Sequence, residues 1–252
     1  MKSIQSFEQV YFVGIGGIGM SALARFFKFS GKDVAGYDKV ETTLTQQLSQ
    51  EGIAIHYEDL QADIPQAFQN PETTLVVYTP AIKELWELAF FQANHFQILK
   101  RAEVLGVLTK TFQGLCVAGT HGKTTTSSLL AHLLTELGAG CTAFLGGIAS
   151  NFDSNLVLHA QSPYAVIEAD EFDRSFLQLS PYAAIITAAD PDHLDIYGSA
   201  DSFVEGFRQF SLRIDPKGFC VQKEGLSLPS LAKVITYAID SSTATYSLTN
   251  LR

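Results

Sequence analysis

Short runs of hydrophobic residues alternate along this chain with longer stretches in which apolar positions recur every three or four residues. The short runs are rich in Val, Ile, Phe and Tyr, as buried strands are, and the longer stretches have the periodicity of helices. Strands that alternate with helices predict βα units around parallel sheets. The first series has predicted strands at 10–13, 34–37, 53–57, 75–79 and 97–99 and predicted helices at 20–30, 42–51, 83–94 and 101–110.

A second series of the same kind begins at Leu115. Because each series opens with its own glycine-rich loop, we expect two α/β domains: a Rossmann-like domain over 1–108 and a second domain over 109–252. The predicted strands of the second series are 115–118, 141–145, 164–169, 183–188, 218–223, 234–238 and 243–248, and its predicted helices are 124–137 and 202–213. The chain stops soon after the last short strand, so we expect this second domain to be incomplete.

The loop after the first strand, residues 14–19, fits the pattern G-x-G-x-x-G between a strand and a helix. Such glycines allow a tight turn and close approach of the backbone to a diphosphate, and the helix N-terminus supplies N–H groups. The predicted diphosphate-binding residues are Gly14, Gly16, Gly17, Ile18 and Gly19. Asp38, 19 positions beyond Gly19, stands where a ribose-binding acid is expected, although an aspartate there also caps turns. On these residues alone NAD would be the default ligand.

The loop after the strand at 115–118 contains Gly-Lys-Thr, as the phosphate loop of NTPases does. In that loop backbone amides cradle phosphates, the lysine reaches the β- and γ-phosphates, and the hydroxyl binds Mg²⁺. The usual spacing would put the first glycine at Val117, so this loop is a variant. We predict that it binds a nucleotide. The predicted residues are Gly119, Thr120, His121, Gly122, Lys123, Thr124 and Thr125, with His121 acting through its backbone.

Two predicted strands end in acidic segments, 168–173 and 190–195. The carboxyl ends of strands line the ligand crevice of open α/β sheets, and the phosphate loop occupies the same edge. Carboxylates, an imidazole and the Thr124 hydroxyl would then converge on Mg²⁺ held by phosphate oxygens. The alternative interpretation is a set of caps and turn acids.

Composition and charge narrow the class of protein. Hydrophobic residues make up 46% of the 252 residues and the net charge is −9, which favours a packed globular protein without a nucleic-acid or anionic membrane partner. Three cysteines without CxxC spacing predict reduced core residues rather than disulfides or a zinc site. No signal peptide and no run of about 18 apolar residues is found, so we expect a soluble, cytoplasmic protein.

Seven stretches together resemble the Mur ligases of peptidoglycan synthesis. They are YFVGIGGIGMSALA (11–24), YTPAI (78–82), RAEVLG (101–106), GTHGKTTT (119–126), FLGGIASN (144–151), EADEFDRSFLQLSP (168–181) and DHLDIYG (192–198). The GIGGIGMS segment is most similar to the members that use L-alanine. The member that recycles murein tripeptide usually carries a different sequence in that loop.

The resemblance implies a three-domain enzyme. Its first domain binds the UDP part of the substrate, a P-loop-type α/β central domain binds ATP, and a third domain helps bind the amino acid. Nothing in this sequence corresponds to the third domain. We therefore expect the C-terminal domain to be absent, the central domain to be truncated and the chain alone to be inactive.

The implied reaction joins L-alanine to the lactyl carboxylate of UDP-N-acetylmuramate through an acyl phosphate, with ATP and Mg²⁺, or Mn²⁺ in its place. By the family match, Lys123, Glu171 and His193 are the catalytic residues. Thr124, Glu171 and His193 are the implied metal ligands, and Asn151 is assigned to the muramyl part of the substrate.

Some residues depart from the family's pattern. Phe172 and Arg174 replace smaller residues, and Ala188-Ala189-Asp190 replaces a segment that commonly contains Asn. These departures leave the details of the phosphate and metal contacts open, as the sequence does for the adenine contacts, the L-alanine pocket and the oligomeric state. Two alternatives are a tripeptide-recycling murein ligase and an NAD-binding redox or sensor module, the latter supported by the 14–19 loop and Asp38 alone.

Overall fold

The computed structural model describes residues 2–60, 63–80, 82 and 85–249. The chain divides into two compact units, Met1–Val104 and Leu105–Arg252. The boundary expected at residue 108 falls inside a helix, Arg101–Thr111, that runs across this division. Ala81 of the YTPAI stretch, and residues 83 and 84 at the start of the predicted helix 83–94, lie outside the described residues.

The first unit is built on a five-stranded parallel sheet with the order β3-β2-β1-β4-β5, which confirms the predicted Rossmann-like fold. The strands are β1 Gln9–Val13, β2 Asp33–Tyr37, β3 Ala54–His56, β4 Thr74–Tyr78 and β5 Gln97–Lys100. The helices are α1 Ile18–Phe29, α2 Thr43–Gln50, α3 Trp86–Ala93 and α4 Arg101–Thr111, with 3-10 turns at Ile4–Ser6 and Gln66–Gln69.

The central position of β1 explains its composition. Its residues from Val10 to Val13 are fully buried because strands and helices surround them, and a parallel strand covered on both faces is a continuous hydrophobic run. Tyr11 packs edge-on to Phe68 and tilted against Phe91, within the cluster that fills this side of the sheet. The glycine loop follows β1 directly, so its position depends on this core.

The second unit has an eight-stranded sheet with the order β13-β12-β11-β10-β6-β9-β7-β8. Its pairs are parallel except for the antiparallel pair of β7 and β8. The strands are β6 Gln113–Ala118, β7 Thr142–Ala149, β8 Ser154–Val157, β9 Tyr164–Ala169, β10 Ala183–Ile186, β11 Phe219–Lys223, β12 Lys233–Ile239 and β13 Tyr246–Leu248. The helices are α5 Lys123–Glu136, α6 Leu194–Tyr197 and α7 Ala200–Ser211, and a 3-10 segment covers Phe172–Gln178.

Strand β8 and helix α6 are among the features of the second unit that were not predicted. Strand β8 is a short return from β7 through a turn in which Asp153 has a φ of 48°. Helix α6 is a single turn that begins after His193 and ends at Gly198, where φ is +78°. Both are shorter than the windows in which hydrophobic periodicity is legible.

Two expectations from composition can be compared with the structure. Cys116, Cys141 and Cys220 are free and buried, as predicted, and burial raises the pKa of both Cys141 and Cys220 to about 11. No helix within the described ranges is long and apolar enough to cross a membrane.

Candidate functional site

The loop between β6 and α5 is held at the carboxyl edge of the second sheet by the chain that follows β10. Thr187 donates a hydrogen bond to the His121 carbonyl at 2.5 Å, and Thr120 donates to the Asp190 carbonyl at 3.0 Å. A Cβ on Gly119, whose φ is +142°, would lie 2.0 Å from Thr187 Oγ1. Close packing against the end of β10 therefore requires this glycine. His121 contributes its backbone carbonyl to the packing of the loop.

Lys123 makes hydrogen bonds both within the loop and to Glu171, which follows β9. Its ammonium donates to both carboxylate oxygens of Glu171, at 2.8 and 2.7 Å, and to the Gly119 carbonyl at 2.8 Å. Glu171 is buried, with 1% of its surface exposed. Since an ammonium has three donors, a phosphate can reach Lys123 only by replacing one of these acceptors.

Thr124, which follows Lys123, contacts a different acidic residue, Glu168. Its Oγ1 lies 3.1 Å from Glu168 Oε1, and the Gly146 amide donates to Glu168 Oε2 at 3.0 Å. A Cβ on Gly146 would come within 2.5 Å of both oxygens, so glycine makes room for the carboxylate. The sequence placed Glu168 in the acidic segment 168–173 without singling it out, and the register of β9 against β6 sets Glu168 beside Val117, next to the loop.

His193 contacts Phe172 and Asp192 through its ring. It precedes α6 with a left-handed φ of 50°, and its ring meets Phe172 edge-on at 5.2 Å. Its Nε2 is 3.9 Å from Asp192 Oδ2. These contacts set His193 beside Phe172, whereas the Glu171 carboxylate faces Lys123.

The residues present supply oxygen ligands for a metal ion. Across the described parts of the chain, no three His, Cys, Asp or Glu side chains are grouped closely enough to hold a metal by themselves. Thr124 and Glu168 do bring a hydroxyl and a carboxylate together at the start of α5, and oxygen donors of this kind suit Mg²⁺, which takes its remaining ligands from phosphate and water. Asn151 is exposed in the turn between β7 and β8.

The glycine loop of the first unit is hydrogen-bonded to the end of β2 and to Asp38, which follows that strand. Gly14 has a φ of +86°, and its amide and that of Ile15 both donate to the Tyr37 carbonyl, at 2.8 and 3.0 Å. The Gly16 amide donates to Asp38 Oδ2 at 2.7 Å. Asp38 thus binds the loop itself, and the amide of Gly16 is already satisfied.

A cavity of about 600 Å³ opens beside this loop. Gly17 and Gly19 at the start of α1 line it, together with two cations, Lys39 and Arg101, to which sequence reasoning gave no role. A Cβ on Gly19 would lie 2.2 Å from Arg101 Nε, so this glycine leaves space for the guanidinium. The position of Arg101 directly after β5, at the carboxyl edge of the sheet, was the available signal.

A buried polar cluster lies in the same unit. The Tyr11 hydroxyl donates to Glu87 Oε2 at 2.6 Å and is 2.6 Å from His56 Nε2. Burial, with the charges of Asp59 and Asp63 nearby, raises the pKa of Glu87 from 4.5 to about 7. Asp59 also accepts from the amides of Trp86 and Glu87, and so caps α3.

A phosphate-type loop on a largely parallel sheet and a glycine loop beside a cation-lined cavity on a second sheet define a two-unit α/β protein of the nucleotide-binding class. Residues 9–113 match the family described as "Mur ligase family, catalytic domain", and residues 117–251 match "Mur ligase middle domain". The chain belongs to the Mur ligase family.

The chain is also similar to individual proteins of this family. The chain is 56% identical to the UDP-N-acetylmuramate–L-alanine ligase of Parabacteroides distasonis, over 94% of this chain and 52% of the relative. It is 53% identical to the protein of the same name from Phocaeicola vulgatus, over 93% and 52%. The chain thus spans about half the length of the curated relatives it matches.

Solved structures give the same fold. UDP-N-acetylmuramate-alanine ligase MurC from Thermotoga maritima matches with a TM-score of 0.80 at 32% identity, over 95% of this chain and 54% of that one. UDP-N-acetylmuramate:L-alanyl-gamma-D-glutamyl-meso-diaminopimelate ligase from Neisseria meningitides matches with a TM-score of 0.81 at 26% identity, over 92% and 78%.

Proposed function

We propose that this chain provides the UDP-substrate site and the ATP site of a ligase that joins L-alanine to the lactyl carboxylate of UDP-N-acetylmuramate. The observation that carries the proposal is the variant phosphate loop, in which the Lys123 ammonium is hydrogen-bonded to Glu171 and the Thr124 hydroxyl to Glu168. The chain that contains this loop is more than 50% identical to ligases of that name. This reaction needs ATP because a carboxylate is a poor acylating agent until it carries a leaving group.

The proposed reaction has two steps. A lactyl carboxylate oxygen attacks the γ-phosphorus of ATP, which forms the acyl phosphate and releases ADP. The amine of L-alanine then attacks the acyl carbon, loses a proton, and expels inorganic phosphate to leave the amide. The first step brings two anions together, so alignment and charge neutralisation dominate what the protein contributes.

We assign Lys123 to the β- and γ-phosphates, which requires it to exchange one of its present acceptors for a phosphate oxygen. Thr124 and Glu168 would hold Mg²⁺, or Mn²⁺ in its place, and the ion would neutralise phosphate charge. Glu171 and His193 keep the roles that the family resemblance implies, ligands of a second metal ion. Imidazole suits Mn²⁺ better than Mg²⁺, so His193 favours the softer ion.

The cavity of the first unit is the proposed UDP site. Residues of the loop, from Gly14 to Gly19, would lie along the diphosphate, and Lys39 and Arg101 supply positive charge at this site in a chain whose net charge is −9. Asp38 holds the Gly16 amide and stands at one side of the same cavity. Asn151 is assigned to the muramyl part. NAD would use the same loop, but membership of the Mur ligase family favours the UDP-sugar.

The tripeptide-recycling ligase is the second candidate, because the Neisseria structure has the same fold. The lower identity to that protein, 26% against 32% for the L-alanine ligase from Thermotoga, favours L-alanine.

Binding tests the proposal directly on the 252-residue chain. Calorimetry with UDP-N-acetylmuramate, with NADH and with Mg²⁺ plus a non-hydrolysable ATP analogue should show one site each for the UDP-sugar and the nucleotide. Binding of NADH without the UDP-sugar would refute the ligase assignment. Competition between the UDP-sugar and the ATP analogue for a single site would refute the two-site arrangement.

A further inference from the structure

Tyr197 connects the two acidic loops of the candidate nucleotide site. It is the last residue of α6, with 4% of its surface exposed, and its hydroxyl donates to the Glu171 carbonyl at 2.6 Å. Its amide donates to the His193 carbonyl at 3.0 Å. One buried residue is therefore hydrogen-bonded to the backbone of both Glu171 and His193.

Both of these loops need support from their surroundings. Asp173 and Arg174 have φ values of 51° and 56°, and His193 has 50°. Residues other than glycine keep such left-handed conformations only where neighbouring structure holds them. The Arg174 amide donates to the Glu171 carbonyl at 3.0 Å, so this carbonyl receives both the turn's own hydrogen bond and that of Tyr197.

The ring of Tyr197 is held from three sides. The Arg174 guanidinium carbon lies 5.1 Å from its centroid, and Phe203 meets it edge-on at 4.8 Å. Gly206 leaves the necessary space, because a Cβ there would be 3.2 Å from Tyr197 Cε1. Burial and the nearby charge of Glu171 raise the pKa of Tyr197 to about 12, so the hydroxyl remains a protonated donor.

We propose that Tyr197 is a positioning residue for nucleotide binding: it fixes the backbone of Glu171, and with it the carboxylate that orders Lys123, and it ties this turn to the loop of His193. The proposal rests on the proposed function, since Lys123 is assigned there to the phosphates. It extends that function by assigning the coupling of the two loops to one side chain.

The test uses two variants and a matched control in the 252-residue chain. Tyr197→Phe removes the hydroxyl and keeps the ring, and Gly206→Ala keeps the hydroxyl and crowds the ring. Tyr164→Phe is the control, because Tyr164, on β9, packs against the cluster that contains Ala131 of α5 and Cys141, which precedes β7. The readouts are calorimetric affinity for Mg²⁺ with a non-hydrolysable ATP analogue, amide hydrogen exchange, and the midpoint of thermal unfolding.

We expect Tyr197→Phe to weaken nucleotide binding about fivefold to tenfold, as loss of one ordering hydrogen bond implies. Gly206→Ala should weaken it in the same direction, and the control should not. Amide exchange should rise in both 172–176 and 193–197, while the unfolding midpoint should fall by no more than the few degrees that one buried hydrogen bond accounts for. A purely structural tyrosine would lower the midpoint without changing nucleotide affinity in the folded protein.

Nucleotide affinity within about twofold of wild type in both variants, or faster exchange in only one of the two segments, would overturn the proposal. Should Tyr197→Phe fail to fold, Gly206→Ala decides the question by the same measurements. A wild-type chain that binds no nucleotide would defeat the proposed function instead, and the exchange of the two segments would still decide whether Tyr197 couples them.

Discussion

Lys123 Nζ, in the phosphate loop, lies 2.7 Å from Glu171 Oε2, after β9, and the two side chains form a largely buried ion pair. The lysine side chain is 16% exposed and the glutamate side chain 2%. A flexible side chain is thereby ordered before any ligand arrives, which lowers the entropy cost of binding, but the ligand must offer a better acceptor than a carboxylate. Nucleotide binding in this loop is therefore an exchange of partners.

Replacing Lys123 should affect both nucleotide binding and stability. Lys123→Met leaves the buried Glu171 carboxylate without its partner, and breaking such a pair costs about 3–5 kcal/mol. We expect that loss in urea unfolding of the 252-residue chain, loss of nucleotide binding in calorimetry, and unchanged affinity for UDP-N-acetylmuramate. Adding Glu171→Leu should recover much of the stability without recovering the nucleotide affinity. If the double variant is no more stable than Lys123→Met, the unpaired carboxylate was not the cause.

Glu168 should matter for metal binding. Glu168→Gln keeps the hydrogen bonds to Thr124 and Gly146 within reach but removes the negative charge, so we expect Mn²⁺ affinity in the presence of nucleotide to fall about tenfold or more. Electron paramagnetic resonance of Mn²⁺ measures this. Glu205→Gln on α7, where Glu205 accepts from Gln209 at 3.2 Å, is the control. Equal Mn²⁺ affinity in the two variants would exclude Glu168 from the metal site.

The glycines of the first loop should differ in their tolerance of a methyl group. A Cβ on Gly16 would lie 2.8 Å from both Asp38 Oδ2 and Thr45 Cγ2, so Gly16→Ala should destabilise the protein by about 1–3 kcal/mol. A Cβ on Gly17 would find its nearest neighbour at 3.7 Å, and Gly17→Ala should stay within about 0.5 kcal/mol of wild type. Urea unfolding compares the two, and similar losses would mean that Asp38 does not hold the loop as described.

The raised pKa of Glu87 predicts a pH-dependent stability. Folding lifts this pKa from 4.5 to about 7, so the folded protein holds the proton more tightly than the unfolded chain does. The contribution is present in full below pH 4.5 and is lost as the pH rises through about 7, a change of about 3 kcal/mol. The difference in unfolding free energy between wild type and Glu87→Gln, measured across this range, should show that slope. A pH-independent difference would place the proton elsewhere in the cluster.

Local sequence patterns were sufficient to predict the architecture of both units. Strand β9 has the predicted bounds, and α5 begins and ends one residue before the predicted helix, because buried parallel strands and glycine-terminated helices have signals in consecutive residues. Strand β8 escaped prediction because its four residues become a strand only through pairing with β7.

The contacts of the candidate site were harder to predict from the sequence, because they join residues that lie far apart along the chain. Lys123 and Glu171 are 48 residues apart, and which of two nearby carboxylates meets Thr124 depends on the register of β9 against β6. The loop itself was recognisable, but the choice of Glu168 as the partner of Thr124 required the sheet. Arg101 beside Gly19 likewise depends on the carboxyl end of β5 lying near the start of α1.

The left-handed backbone of Asp173, Arg174 and His193 has a consequence for the local stability of this region. Each such residue costs of the order of 1–3 kcal/mol, and glycine would remove most of that cost. Arg174→Gly would remove one of these costs, but it would also remove the contact of the guanidinium with the Tyr197 ring and its hydrogen bond to Ser202, so the two effects oppose each other. The strained backbone is thus held in place by side-chain contacts, and a substitution that weakens those contacts would let the turn relax.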